Sequence, residues 1–462
     1  MPVKPVQLDL FRPFQPLSTF QGSISSVKYK DAFQKLLNED FDFQGENSSY
    51  ATHNFHSFPA KFPPQLPKKF IIALTLPGEK VLDPMSGSGT TVLEAMLLGR
   101  HGIGVDIDPL ALNLGKVKVT SLDLGDLMRR AESLIERSSY ALRRKKDELR
   151  NALDSRFDPH TREFVDYWFL TETQLELLAL IQEIERVADR NLRRFFKIVF
   201  SSIVITKSGG VSLAYDLAHT RPHRLKDKVP RSATAEFQKR LNKNIKRISQ
   251  LAWCTGRADI FCSNAQRLGL SDNSIDLIVT SPPYPSNAID YMRTHKFSLV
   301  WFGYDIASLS TMRGDYMGGE RISNFPMHNL PDYSYRVVSN LGQKDPKKAN
   351  VLRRYYTEMA LCLSEMFRVL KPGKAAVVVV GSSVMRGIDT ETAKCLGEIG
   401  ETIGFDLVDI PERKLDRNKR MMPARNASQS QTGGPARENK KGSTKIEERM
   451  HKEYIIGFLK PN

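Results

Sequence analysis

A chain of 462 residues, 40% of them hydrophobic, can bury a sizeable core, and its length predicts one core domain with a large insertion or second lobe. Lysine and arginine number 68 against 52 acidic residues, and the resulting charge of +16 is typical of proteins that bind nucleic acid, although a generally basic surface explains it equally well. The four cysteines lack the spacing of a zinc site or a disulfide framework, and the absence of a signal peptide or membrane-length apolar run predicts a soluble, cytoplasmic protein.

The first part of the chain predicts an arm followed by half of an α/β core. Residues 1–50 have no sustained periodicity and are interpreted as an arm packed on or around the core. Residues 51–110 contain a βαβ pattern, with a glycine-rich turn after its first strand and Asp106 closing its second. The predicted elements are a strand at 80–82, a helix at 91–98 and a strand at 102–105.

The middle of the chain has a different character. Residues 111–255 consist of long charged stretches with leucine and isoleucine at helical spacing, which predicts a helical insertion. Within it, residues 208–232 carry glycines and are basic and rich in His and Arg, which predicts an exposed loop.

Residues 256–462 return to the α/β pattern and predict the second half of the core. The apolar strand at 275–279 runs directly into Thr280-Ser281-Pro282-Pro283-Tyr284, which places a loop where open α/β sheets bind ligands. Residues 312–350 are interpreted as an inserted irregular loop. The other predicted elements are a helix at 355–369, strands at 258–261, 375–380, 405–410 and 454–459, and a mobile loop at 418–445.

The turn after the first strand has the composition of a ligand-binding loop. Asp83 ends the strand, and glycines precede a helix that begins near Thr90-Thr91. Glycines allow close approach of a ligand to the backbone, and the acid can hold a cationic amino group. A Walker phosphate loop would have lysine in place of Thr90, so nucleotide triphosphate binding is disfavoured. Asp106 is placed to bind ribose hydroxyls, and the alternative is an ordinary turn with both acids as helix caps.

The turn at residues 83–91 and the loop at residues 281–284 together resemble the two signatures of the S-adenosylmethionine-dependent DNA amino-methyltransferases. These signatures are DPxxGSGTT and (D/N/S)PP(Y/F/W). The resemblance covers residues 52–108, about 263–383 and the last strand. It implies a Rossmann-like class I methyltransferase core with a mostly parallel seven-stranded sheet, to which the helical insertion is added. It also implies S-adenosyl-L-methionine as cofactor, double-stranded DNA as partner, and a restriction–modification or related defence system with a cognate restriction endonuclease.

The resemblance also implies roles for individual residues. Asn264 stands where the family usually has Asp, and the cofactor loop precedes the catalytic loop, whereas many Ser-Pro-Pro-Tyr enzymes have the permuted order. The residues implied at the target base are Ser281, Pro282, Pro283 and Tyr284. Those implied at the cofactor are Phe58, Pro59, Ala60, Lys61, Asp83, Pro84, Ser86, Gly87, Gly89, Thr90, Thr91, Asp106, Ile107, Asn264 and Ala265.

The catalytic loop suits methylation of an exocyclic amine. Such an amine is a poor nucleophile because its lone pair is delocalised into the ring. Ser281 Oγ and a backbone carbonyl of Pro282 or Pro283 can accept its two N–H bonds and redirect the lone pair, while Tyr284 offers a face for a flipped base. Methylation at cytosine C5 would need a cysteine after a proline, and none of the cysteines follows one.

The form of the loop favours cytosine N4 as the target, because Thr before Ser-Pro-Pro-Tyr is associated with that base within the family. Adenine N6 is the second candidate, and an RNA amino-methyltransferase or a non-catalytic DNA-binding subunit are further alternatives. Sequence recognition is expected in the inserted elements. The candidate DNA-binding residues there are His219, Arg221, His223, Arg224, Arg313, Arg321 and Lys344.

Overall fold

A mixed β-sheet forms the centre of the protein in a computed structural model that describes residues 26–59, 61–206, 210–214, 224–225, 227–285, 290–318, 325–381, 383–415 and 452–462. The eight strands of this sheet are β1 Lys80–Asp83, β2 His101–Asp106, β3 Arg257–Cys262, β4 Ile275–Thr280, β5 Leu370–Gly381, β8 Asp406–Asp409, β9 Glu412–Lys414 and β10 Lys452–Leu459. A small separate hairpin consists of β6 Val384–Met385 and β7 Ile388–Asp389.

The strand order is β3-β2-β1-β4-β5-β10-β8, and β9 pairs with β10 beside this path. Strands β1 to β5 are mutually parallel, and β10 is antiparallel to β5, β8 and β9. The predicted class I methyltransferase core with a mostly parallel sheet is therefore confirmed. The short strand β9 is an addition to the seven predicted strands.

Helices cover both faces of the sheet and form a further layer beside it. Those before the sheet resumes at β3 are α1 Ser26–Leu37, α2 Gln65–Leu74, α3 Thr90–Leu97, α4 Pro109–Val119, α5 Leu124–Arg144, α6 Lys146–Asp154, α7 Pro159–Trp168, α8 Thr171–Glu185, α9 Arg190–Val204 and α10 Ala233–Ile248. Those after it are α11 Tyr291–Leu299, α12 Ile306–Gly314, α13 Asp332–Lys344, α14 Pro346–Val369 and α15 Thr392–Ile403. Short 3₁₀ helices span Ser249–Trp253 and Val300–Phe302.

The central strands are buried on both sides, as expected for a parallel sheet with two helical layers. Successive residues of a strand point to opposite faces. Val81 and Val279 therefore pack in the cluster that contains α1 and α2, whereas Leu82 and Ile278 pack in the cluster of α13, α14 and α15. Helices α5 to α10 contribute to a third cluster. Each of these helices buries an apolar stripe there, which explains the helical periodicity of this part of the sequence.

Two segments that the sequence suggested were irregular contain helices. Helix α1 lies in the N-terminal arm and packs against α2, β5 and β10. Helix α13 fills most of the second half of the predicted loop 312–350, and α14 begins at its end. Both helices are short and mix polar with apolar residues, so their apolar stripes stand out weakly in the sequence. No helix among the described residues is both long and apolar enough to cross a membrane.

Candidate active site

A cavity of about 780 Å³ opens where β1, β2 and β4 end. Its wall contains Pro84 and Gly87 from the loop after β1, Asp106 at the end of β2, and Ser281 and Pro283 from the loop after β4. These segments meet because β1 pairs in parallel with both β2 and β4, so that all three strands end at the same edge. The two sequence motifs thus form one concave site.

The loop after β1 is shaped by two glycines. Gly89 precedes the first residue of α3 and has φ +72°. Residues other than glycine rarely adopt this backbone conformation. A Cβ on Gly104 of β2 would lie 2.8 Å from the Val92 side chain and 3.2 Å from Ser86 Cβ. Glycine at this position therefore lets the loop pack directly on β2. The buried Lys118 ammonium fixes the loop further by donating to the Ser88 carbonyl at 2.7 Å.

Asp83 is buried below this loop, and it is not part of the cavity wall. Its Oδ1 accepts hydrogen bonds from Thr280 Oγ1 at 2.7 Å and from the Met85 amide at 3.3 Å. Burial raises the pKa of Asp83 to about 7. Thr280 immediately precedes Ser281, so Asp83 ties the end of β4 to the loop after β1.

Asp106 presents its carboxylate at the cavity wall. Its Oδ2 accepts from the Gly87 amide at 2.7 Å and its Oδ1 accepts from the Asp108 amide at 2.8 Å. Burial, followed by the neighbouring Asp108, raises the pKa of Asp106 to about 6. A carboxylate oxygen has a second lone pair, so each oxygen can accept one further hydroxyl, as the binding of a ribose requires.

An aromatic cluster lies beside these acids, and of its members the sequence predicted only Phe58. Phe58 stacks on Tyr291 with ring centroids 5.5 Å apart, and His295 lies 5.1 Å from Phe58. His295 Nδ1 lies 2.7 Å from Asp108 Oδ2, and the Tyr316 hydroxyl donates to the same oxygen at 2.7 Å. Phe58, Tyr291 and Tyr316 line the cavity, which gives it flat apolar surfaces next to acceptor groups.

The loop after β4 is tied to the other side of the sheet. Ser281 Oγ lies 3.4 Å from the Tyr284 hydroxyl, which donates to Glu453 Oε1 at 3.1 Å. Glu453 on β10 is paired with its cross-strand neighbour Arg413 on β9, whose Nε donates to Oε2 at 2.8 Å. Burial, and then the Glu453 carboxylate, hold the pKa of the Tyr284 phenol well above its usual value.

Not every predicted cofactor or base residue lies in the cavity wall. Lys61 directs its ammonium to the His53 and His56 carbonyls at 3.0 and 3.2 Å. Ala60 lies outside the described residues. The predicted residues in the wall are Phe58, Pro84, Gly87, Asp106, Ile107, Asn264, Ala265, Ser281 and Pro283. Those described outside the wall are Pro59, Lys61, Asp83, Ser86, Gly89, Thr90, Thr91, Pro282 and Tyr284.

The predicted DNA-binding residues are dispersed. Arg313 lines the cavity and forms an ion pair with Asp290 at 2.5 Å. Arg224 lies 4.5 Å from the centre of the Tyr167 ring, and Lys344 is exposed at the end of α13. Four further candidates, His219, Arg221, His223 and Arg321, lie outside the described residues.

Comparison with known proteins supports one family. A family model described as DNA methylase, N6_N4_Mtase, matches residues 17–116. Type II methyltransferase M.MvaI of Kocuria varians is 25% identical over 431 residues, which cover 87% of this chain and 93% of that protein. Type II methyltransferase M.BsoBI of Geobacillus stearothermophilus is 23% identical over 460 residues, covering 87% of this chain and 90% of that protein. The family model and these relatives support assignment to the S-adenosylmethionine-dependent DNA amino-methyltransferase family.

Among solved structures, a SAM-dependent methyltransferase from Methanosarcina mazei is 12% identical to this chain, with a TM-score of 0.30. That match covers 85% of this chain and 97% of the other. The cofactor of the DNA amino-methyltransferases is S-adenosylmethionine, and the cavity of this enzyme fits it. The Asp106 carboxylate suits the ribose, and the aromatic rings suit the adenine. Gly87, which exposes backbone, suits the methionine part.

Proposed function

We propose that this DNA amino-methyltransferase methylates cytosine N4 at a specific site in duplex DNA. The observation that supports this target is the identity of residue 281. It is a serine that lines the cavity, whereas adenine N6 enzymes more often carry Asp or Asn at this position. Its relatives M.MvaI and M.BsoBI are named Type II methyltransferases, which supports a role in a restriction–modification or related defence system in the cytoplasm, beside a cognate endonuclease.

In the proposed reaction the amine lies between Ser281 and the methyl donor. Ser281 Oγ and the carbonyl of Pro282 or Pro283 accept the two N–H bonds, which makes the nitrogen more tetrahedral and turns its lone pair toward the methyl group. Bound S-adenosylmethionine supplies an electrophilic methyl, whose bond to sulfur breaks as the N–C bond forms. The methylated amine then releases one proton to water. Because the methyl donor is already a sulfonium, the transfer calls for no metal ion.

The residues in and beside the cavity can be assigned to separate parts of the cofactor and to the target base. We assign Asp106 to the ribose hydroxyls, since both of its oxygens have a lone pair left. Pro84 and Gly87 are assigned to the methionine end, with Asp83 holding their loop and the Thr280 end of β4 in register. Tyr284, which follows Pro283 of the wall and itself lies outside it, is assigned to the target base, whose flipping exposes a face for stacking.

A cationic cluster at the junction of α4 and α9 is proposed to hold DNA phosphates. Helix α4 packs against α9, and Lys116 and Arg194 line the same surface hollow between them. Burial and the nearby Arg194 and Arg190 lower the pKa of Lys116. In the described part of the chain none of the three forms an ion pair with a carboxylate, and Arg194 donates to the neutral Asn191 Oδ1 at 3.4 Å. Lys116 lies about two helical turns from Asp108 at the start of α4. The cluster is therefore close enough to the cavity to contact strands that flank a flipped base.

Salt dependence of DNA binding tests this surface. Removing one cation that binds a phosphate should reduce the slope of log affinity against log salt by about 1. Arg190→Gln and Arg194→Gln should each have this effect on all duplex sequences, measured by fluorescence anisotropy. Arg129→Gln is the matched control, since Arg129 is exposed on α5 and already paired with Asp126. Slopes equal to the wild type in both variants would contradict the assignment.

The target base is tested by nucleoside mass spectrometry of duplex DNA after incubation with enzyme and labelled S-adenosylmethionine. We expect N4-methylcytosine, and Ser281→Ala should make the same product more slowly while binding the cofactor normally. N6-methyladenine would refute the cytosine assignment and leave the amine mechanism intact. A 5-methylcytosine product, or methyl transfer to RNA but not to DNA, would contradict the proposed reaction itself.

A further inference from the structure

A continuous set of polar contacts connects the catalytic loop to the far edge of the sheet. It runs from Ser281 through the Tyr284 hydroxyl to Glu453 and ends at Arg413. Glu453 and Arg413 are 8% and 5% exposed, so they form an ion pair shielded from water. Arg413 also donates to the Phe41 carbonyl at 3.2 Å, which fixes its guanidinium from the other side.

The chemistry of each group sets the direction of these hydrogen bonds. Glu453 is a carboxylate paired with a guanidinium, so it can only accept hydrogen bonds. The Tyr284 phenol must therefore donate its single hydrogen to Glu453. The phenol stays protonated because its pKa is raised by burial. The Tyr284 oxygen can then only accept from Ser281, and the Ser281 hydrogen is drawn away from the cavity. What Ser281 offers to the cavity is lone pairs.

We propose that Glu453 and Arg413 are positioning residues that fix the Ser281 hydroxyl as a hydrogen-bond acceptor for the amine being methylated. A serine left to rotate can present its hydrogen instead, and that orientation would repel the N–H groups of the target base. The Ser281 to Tyr284 distance of 3.4 Å is long for a hydroxyl pair, as is common at catalytic sites before substrate binds. This inference rests on the proposed role of Ser281 in amine methylation.

The first test replaces charge without changing shape. In Glu453→Gln the amide can donate to the Tyr284 oxygen, which frees the phenol hydrogen to point at Ser281. We expect kcat to fall about ten- to a hundredfold, the range for loss of a hydrogen bond to a charged group, while KM for DNA and the Kd of S-adenosylmethionine stay at wild-type values. Tyr284→Phe keeps the ring and the Glu453–Arg413 pair, and it should lower kcat by a similar factor.

Coupling to Ser281 separates a positioning role from general damage. In a Ser281→Ala background there is no hydroxyl to orient, so Glu453→Gln should have no further effect on kcat. Glu412→Gln is the matched control, since Glu412 lies on β9 in an exposed ion pair with Lys452 and should leave kcat unchanged. All variants are compared in single-turnover assays on duplex DNA, with thermal unfolding to confirm that each is folded.

The outcomes are distinct. Wild-type kcat in both Glu453→Gln and Tyr284→Phe would overturn the inference, as would an equal loss from Glu453→Gln in the presence and absence of the Ser281 hydroxyl. If Glu453→Gln fails to fold, Tyr284→Phe and its combination with Ser281→Ala decide the question alone. Failure of the proposed function would be seen separately, because the wild-type enzyme would then yield no N4-methylcytosine.

Discussion

Replacement of Asp106 by asparagine is the sharpest test of the cofactor site. The two carboxylate oxygens accept from the Gly87 and Asp108 amides at 2.7 and 2.8 Å, and their remaining lone pairs are available to ribose hydroxyls. Asparagine keeps the size of the side chain and replaces one acceptor oxygen by an NH₂ group. Losing one hydrogen bond to a charged acceptor costs about 1.5–3 kcal/mol. The Kd of S-adenosylmethionine should therefore rise roughly 10- to 150-fold.

Isothermal calorimetry at pH 8 measures this change where Asp106 is ionised. Asp259→Asn is a suitable control, since Asp259 lies on the neighbouring strand β3 and contacts His101 at the surface. A folded Asp106→Asn protein that binds S-adenosylmethionine with wild-type affinity would refute the ribose assignment.

The pH dependence gives the same test a second readout. Burial and Asp108 raise the pKa of Asp106 to about 6, so the ionised acceptor is lost as the pH falls through that value. Wild-type affinity should fall up to about tenfold per pH unit below about pH 6, since a protonated carboxyl gives up one acceptor site. The asparagine variant should lack this component, and parallel pH profiles for the two proteins would contradict the assignment.

Two further predictions concern the base and the fold. Tyr284→Ala should keep cofactor affinity but lose most turnover, because stacking on a flipped base is worth about 1–3 kcal/mol. Phenylalanine at this position should be tolerated better than alanine. Turnover equal to the wild type in Tyr284→Ala would show that the site is misplaced. Gly400→Ala should lower the free energy of unfolding by about 1–3 kcal/mol, because its Cβ would overlap the Phe458 ring where α15 packs on β10. Both variants are compared by chemical denaturation, with Gly342→Ala on α13 as the control. A Cβ at position 342 would have its nearest neighbour 3.6 Å away, and alanine favours a helix. Equal effects of the two changes would contradict this packing.

Much of the fold could be predicted from local sequence. The strands around the glycine-rich turn and before Ser281 were recognised because buried parallel strands are short apolar runs, and their order along the chain restricts the topology. Helix α13 was missed because its few apolar positions, such as Val338 and Leu341, become a core face only when α14 packs against them. Strand β9 was missed for a similar reason, since three residues are a strand only through their pairing with β10.

The sequence by itself determined the two loops and the chemistry that they imply, because a glycine that permits a turn or a proline that stiffens one acts on its own neighbours in the chain. Only the tertiary structure decided what surrounds them. Tyr284 meets Glu453 across 169 residues, and Asp108 meets His295 and Tyr316 across 187 and 208 residues. Contacts at such separations have no periodicity or spacing in the sequence, because they arise when the sheet brings distant strand ends and helices to one edge. The acceptor role proposed for Ser281 therefore depends on residues that no motif contains.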